Sequence, residues 1–164
     1  MAIVSMYSIS MDSIAEDGTH VTTGYLIWRL SMKWRAAVDR ALAPLGLTHA
    51  QYALLASLYG LSRTGARPSQ RALADFTGLE ALYVSKLARA LQRAALLERP
   101  DNPADPRAVQ LSLTSNGEDV VVRAIAIVRD LHQQLLAPLG GAHSQATIAL
   151  TETLRTLVGE FPHI

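Results

Sequence analysis

"SQRALADFTGLEALYVSKLARALQRAALLER", residues 69–99, is the stretch on which the fold turns. Ser69 fits an N-cap for a short helix over "QRALADF". "TGLE" reads as a turn, and a second helix is predicted from about Glu80 to Ala94. On that helix Val84, Leu87, Ala88 and Leu91 make an inward stripe. The opposite side carries Leu82, Tyr83, Ser85, Lys86, Arg89 and Arg93, with 82, 86, 89 and 93 stacked at helical spacing. Two helices joined by a glycine-containing turn have the pattern of a helix-turn-helix. A free face bearing Lys and Arg suits a phosphate-lined groove. Ser85 and Lys86 stand in the N-terminal half, where a reading helix reaches base edges. A solvated helix face beside a structural loop has the same pattern, so the helix pair alone leaves both readings open.

The next stretch narrows the choice. "RPDNPADPRAV", residues 99–109, places prolines at 100, 103 and 106, a spacing that neither a helix nor a central strand tolerates. "LLERP" before it reads as a short strand. "AVQLSLT" after it alternates Val109, Leu111 and Leu113 against Gln110, Ser112 and Thr114, the pattern of a half-buried strand. The proline tongue is therefore the tip of a β-ribbon. Asp105, two residues before Arg107, can hold the guanidinium in a bidentate pair and aim it. A narrow minor groove focuses negative potential and attracts such an arginine. Between residues 63 and 107 stand eight Lys/Arg and five Asp/Glu, a local excess of positive charge. By itself the tongue also reads as a surface hairpin with an incidental ion pair.

Outside this region the chain is helical. Residues 21–43 repeat Leu26, Leu30, Trp34, Ala37 and Ala41 at helical spacing, until Pro44 and Gly46 stop them. "THAQ" from Thr48 has the form of a capping box for a helix through about Tyr59, with a loop from Gly60 to Pro68. "SNGE", Ser115 to Glu118, has the same form and opens a long helix to about Leu136. A strand competes there because many residues are β-branched, but length and the spacing Val121, Ile125, Val128, Leu131, Leu135 favour helix. A last amphipathic helix spans Ser144 to Glu160.

Composition excludes several classes. The chain has 164 residues, a net charge of +1 and no cysteine, which removes disulfides, zinc–thiolate sites and thiol redox switches. Hydrophobic residues make up 49%, which hints at a subunit interface beyond a single core. No apolar run is long enough for a membrane span. Residues 1–18 begin without a basic residue, so a secretory signal is not expected. The five histidines are scattered, with no ligand spacing, so no metal site is expected. No Ser–His–Asp arrangement and no glycine-rich phosphate loop appear. No catalytic residue, enzyme activity or cofactor is therefore expected.

The segments "GLTHAQYALLASL", "SQRALADFTGLEALYVSKLARALQRAALLER" and "DPRAVQLSLTSNG" resemble successive signature stretches of the MarR family of bacterial transcription regulators. The resemblance covers about residues 22–160, and the D-x-R wing followed by "LT-x-x-G" is its most specific part. It implies a mainly α fold with a small two- to three-stranded β-wing, a winged helix-turn-helix joined to an α-helical dimerisation domain. It further implies a homodimer that binds pseudo-palindromic double-stranded DNA and is released by a small ligand; the absence of cysteine points to the cell interior, so a cytoplasmic location is expected. The organisation expected is a flexible arm over 1–20, a helical dimerisation domain from 21–45 and 115–164, and a winged-helix domain over 46–114. Position by position, Leu82, Tyr83, Ser85 and Lys86 match the reading-helix contacts, and Asp105 and Arg107 match the wing pair. Ser69, Gln70 and Arg89 complete the expected DNA-contacting set.

Two residues depart from the family pattern. Ala95 stands where glycine is common before the first wing strand, which bears on the helix exit angle. Leu82 stands where a small polar residue is common, which weakens hydrogen-bond readout and favours contact with a thymine methyl. Trp28 lines up with Met32 and Arg35, and His49 and Tyr52 are expected to point the same way. These five are the candidate pocket for a small aromatic acid, although packing of Trp28 at a dimer interface explains it equally well. The competing class for the whole chain is a winged-helix module that binds protein and not specific DNA.

Overall fold

The computed structural model of the chain describes residues 22–100 and 109–160. Six α-helices and one two-stranded antiparallel sheet occur among them, in the order α1 (Thr23–Leu42), α2 (His49–Ser62), α3 (Gln70–Thr77), α4 (Ala81–Arg93), β1 (Leu97–Glu98), β2 (Ser112–Leu113), α5 (Ser115–Leu136) and α6 (Gln145–Glu160). The expected arm over 1–20 lies outside the described residues, as does the wing tip over 101–108 with Asp105 and Arg107.

The helix starts are set by local chemistry. Thr22 Oγ1 accepts the Tyr25 N–H at 3.2 Å to open α1. Thr48 and Gln51 form the full capping box of α2, and Asp39 Oδ1 on α1 accepts the His49 N–H at 2.6 Å. Ser69 Oγ accepts the Ala72 N–H at 3.0 Å to open α3. Helix α2 continues past Gly60 to Ser62, so the expected loop from Gly60 begins only at Arg63. A glycine inside a helix costs about 1 kcal/mol. Here Leu58 is buried and Leu61 packs on the core around it, and these contacts override the breaker.

One core gathers Val38 and Leu42 of α1, Leu54, Leu55 and Leu58 of α2, Leu73 of α3, Val84, Leu87 and Leu91 of α4, Leu97 of β1, Leu111 just before β2, and Val120, Val121 and Ala124 of α5. The long helix resolves the competition with a strand in favour of helix. Trp34 of α1 meets His132 of α5 edge-on, ring centroids 6.1 Å apart, and is half-buried against the core.

The segment after the tongue is less of a strand than its alternation suggests. Among the described residues only Leu97↔Leu113 and Glu98↔Ser112 pair in the ladder. Residues 109–111 instead turn to the approach of α3. The Gln70 N–H donates to Val109 O at 2.8 Å, the Leu111 N–H donates to Pro68 O at 3.1 Å, and Ser69 bridges Gln110. The chain thus changes partners midway, and Ser69 supplies a third rung to the wing.

The joint between α4, β1 and α5 contains two residues that local pattern reads only in part. The Leu96 N–H donates to Leu91 O at 3.0 Å and the Ala95 N–H to Gln92 O at 2.9 Å. This is a Schellman ending, and it puts Ala95 at φ 55°, the one non-glycine residue with positive φ among the described residues. Thr114, one residue before the expected Ser115, caps α5: its hydroxyl accepts the Gly117 N–H at 2.9 Å and donates to Ala95 O at 2.8 Å. The Thr114 N–H donates to Leu96 O at 3.2 Å. These ties to the α4 exit select the threonine over its neighbour. Gly117 packs so closely on the Leu96 carbonyl that a Cβ there would collide with it.

Candidate nucleic-acid interface

The turn between α3 and α4 is built by Gly78 and Thr77. Gly78 closes α3 in the left-handed region at φ 69°. Thr77 Oγ1 donates to Leu73 O at 2.8 Å and accepts the Leu79 N–H at 3.4 Å, which ties the turn back to α3. Leu79 packs against the core. Helix α4 then leaves with Val84, Leu87, Ala88 and Leu91 buried, the stripe expected from the sequence.

Its other face is open. Leu82, Tyr83, Lys86, Arg89 and Arg93 are exposed, and Ser85 lies half-buried at the edge of that face. No ion pair engages Lys86, Arg89 or Arg93 among the described residues. Arg71 on α3 differs: its Nε is 3.4 Å from Asp75 Oδ1, a solvent-exposed pair of little energetic weight. Three exposed cations in a row offer charge-assisted bonds to an anionic backbone.

Ser69 and Gln70 sit where α3 meets the wing, and both are fastened to it through Gln110 and Val109. Arg99 is a residue that pattern reading missed. Its Nη2 donates to Gln70 Oε1 at 3.4 Å, so it links the outgoing wing strand to the start of α3. Its Nε is buried without a hydrogen-bond partner among the described residues. The signal available in sequence was an arginine at a strand end, and nothing local tells it from any other surface arginine. Asp105 and Arg107, the expected wing pair, lie outside the described residues.

The five residues expected to hold a ligand are only partly gathered. Arg35 Nε is 4.0 Å from Asp39 Oδ2, and the same carboxylate accepts from His49, so Asp39 links two of them. Tyr52 is half-buried on the core side, and burial raises its hydroxyl above the usual tyrosine range. Trp28 and Met32 stay on the exposed half of α1, the Trp28 ring 5.9 Å from that of Tyr25. A separate open groove between the end of α2 and the start of α5 is lined by Tyr59, Asn116, Glu118, Asp119, Val122 and Arg123. No described helix is long and apolar enough to cross a membrane. The described residues contain no cluster of three metal-ligating side chains.

A helix pair with a cationic free face, followed by a β-ribbon tied to the first helix of that pair, defines a winged helix-turn-helix. No protein-family model matches the chain. It is 36% identical over 120 residues to the HTH-type transcriptional regulator YdcH of Bacillus subtilis, which covers 73% of this chain and 82% of that protein. It is 31% identical over 116 residues to the HTH-type transcriptional repressor Rv2887 of Mycobacterium tuberculosis, covering 71% of this chain and 81% of that one. Among solved structures, a mutant MarR from E. coli complexed with operator DNA superposes with a TM-score of 0.69 at 26% identity, over 82% of this chain and 91% of that chain. The chain belongs to the MarR family of winged helix-turn-helix transcription regulators.

Proposed function

We propose that this chain is a homodimeric DNA-binding repressor of nearby genes, acting on pseudo-palindromic operators and released by a small ligand. The observation that carries the DNA reading is the outward face of α4, where Lys86, Arg89 and Arg93 follow Leu82 and Tyr83 with no anionic partner in the described chain. In this reading α4 enters the major groove, with Ser69, Gln70, Leu82, Tyr83, Ser85, Lys86 and Arg89 at the DNA. The wing brings Arg107, aimed by Asp105, to the adjacent minor groove. The relatives named as transcriptional regulators and repressors support it.

The dimer reading rests on apolar surface. Tyr25, Leu26, Ile27, Trp28, Leu30 and Met32 on α1 are all exposed, as are Ile148, Leu150, Leu154, Leu157 and Val158 on α6. Permanent homodimer interfaces run above about 2,000 Å² and are rich in such residues. The proposed division is a dimerisation domain from 21–45 and 115–164 and a winged-helix domain over 46–114. A ligand near Trp28, Met32, Arg35, His49 and Tyr52 would sit where the two meet. It would release DNA only by preferring a spacing of the two reading helices that the operator does not fit.

The test is operator binding to the DNA just upstream of the gene, at two salt concentrations. Lys86→Ala and Arg107→Ala should each weaken binding by about 1–3 kcal/mol for a base contact, or flatten the salt dependence for a phosphate contact. Unchanged affinity in both, with folding intact, removes the DNA reading. A release ligand must bind the DNA-complexed dimer more weakly by the factor by which it weakens operator binding. Phe76 on α3, 63% exposed, favours the competing reading of a protein-binding winged helix. A complex that forms without DNA and ignores salt would support that alternative.

A further inference from the structure

Leu82 is the most exposed large hydrophobic residue among the described residues, at 84%. It stands in the first turn of α4, on the line that continues through Lys86, Arg89 and Arg93. The other large aliphatic residues of α4, Val84, Leu87 and Leu91, are buried. The cations behind it have partners in the phosphates of a groove. Leucine has no donor or acceptor and so cannot bond a polar base edge.

Resting on the DNA-binding reading above, we infer that Leu82 is a specificity-determining residue that packs on the C5-methyl of a thymine in each half-site. The major groove offers one apolar group, the thymine methyl; the other edges are carbonyls, ring nitrogens and amines. Against those edges Leu82 would strip water without replacing its hydrogen bonds, which costs free energy. Selection therefore works twice, by burying two apolar groups together and by penalising polar edges at the same place. The first turn of a reading helix is where base edges come within reach, and the 84% exposure leaves the side chain free to reach them.

The test uses DNA chemistry so that folding does not enter. Duplexes are selected from a randomised library with the full-length protein, and each thymine of the selected site is then replaced by uracil, which removes only the methyl. One symmetric pair of positions should be sensitive, with affinity falling about fourfold per methyl, the scale of one buried methyl group. In Leu82→Ala, an exposed substitution whose melting curve should match the parent, the same replacement should have less than half that effect. The selected library should also lose its thymine preference there. Uracil replacement without effect at every position, or with equal effect in both proteins, overturns the assignment while leaving DNA binding intact. Failure to enrich any duplex overturns the DNA-binding reading and this assignment with it.

Discussion

Helices α4 and α6 are written in the same kind of sequence, an apolar stripe on an amphipathic helix, yet they meet opposite fates. All four stripe residues of α4 are buried within the chain, and cations occupy its outward face. Over residues 145–159 of α6 only Thr147 is buried, its hydroxyl donating to Gly141 O at 2.7 Å. Leu150, Leu154 and Leu157 follow one another at helical spacing and are all exposed among the described residues. The stripe of α4 is completed by its own fold and frees its other face for a charged partner. The stripe of α6 is left open by the described residues, and in the dimer reading a second copy supplies the cover.

The sharpest way to break this contrast is to make α6 polar. In the dimer reading, Leu154→Asp with Leu157→Asp should raise the dissociation constant at least about a thousandfold, because each carboxylate would have to be desolvated at the interface. Sedimentation should then show monomer at micromolar concentration, with helical content largely retained. A dimer that survives the pair places the interface elsewhere.

The next test strikes the self-sufficient lobe. Gly117→Ala puts a methyl into the Leu96 carbonyl, and the strain should cost about 3 kcal/mol, the upper part of the range for overpacking. Chemical denaturation should show the loss. A drop of a few tenths would mean that α5 and the wing strand are joined more loosely than the structure shows.

A smaller effect of opposite sign is expected at the same joint. Ala95 holds a left-handed conformation that a Cβ opposes, so Ala95→Gly should stabilise the lobe by about 0.5–1 kcal/mol after the added chain entropy of glycine. The denaturant midpoint should rise with an unchanged slope. No rise would mean that the entropy glycine adds to the unfolded chain offsets the relieved strain.

The smallest effect is expected at Tyr52. Burial raises its folded pKa above the free tyrosine value of about 10, so the folded state holds this proton more tightly than the unfolded chain. Its stabilising contribution is full below that value and is lost as pH rises through the folded pKa. Tyr52→Phe should therefore flatten the alkaline fall in stability, and an unaltered pH profile would remove Tyr52 from that account.

Much of this was legible in the residues themselves. The inward stripe of α4, the capping box at Thr48, the Ser69 cap and the termination at Gly46 are local, because periodicity and capping act over one or two turns. The cationic face followed from the same spacing. Tertiary structure decided what depends on distant partners. Gly60 stayed helical because Leu58 and Leu61 had a core to enter. Thr114 displaced Ser115 as the cap because its hydroxyl could also reach Ala95. Residues 109–111 left the ladder for the approach to α3, and Arg99 found Gln70 across the fold. The left-handed Ala95 and the close approach at Gly117 come from one meeting of α4, β1 and α5. No window of sequence contains all three, so their mutual fit is set only when the chain has packed.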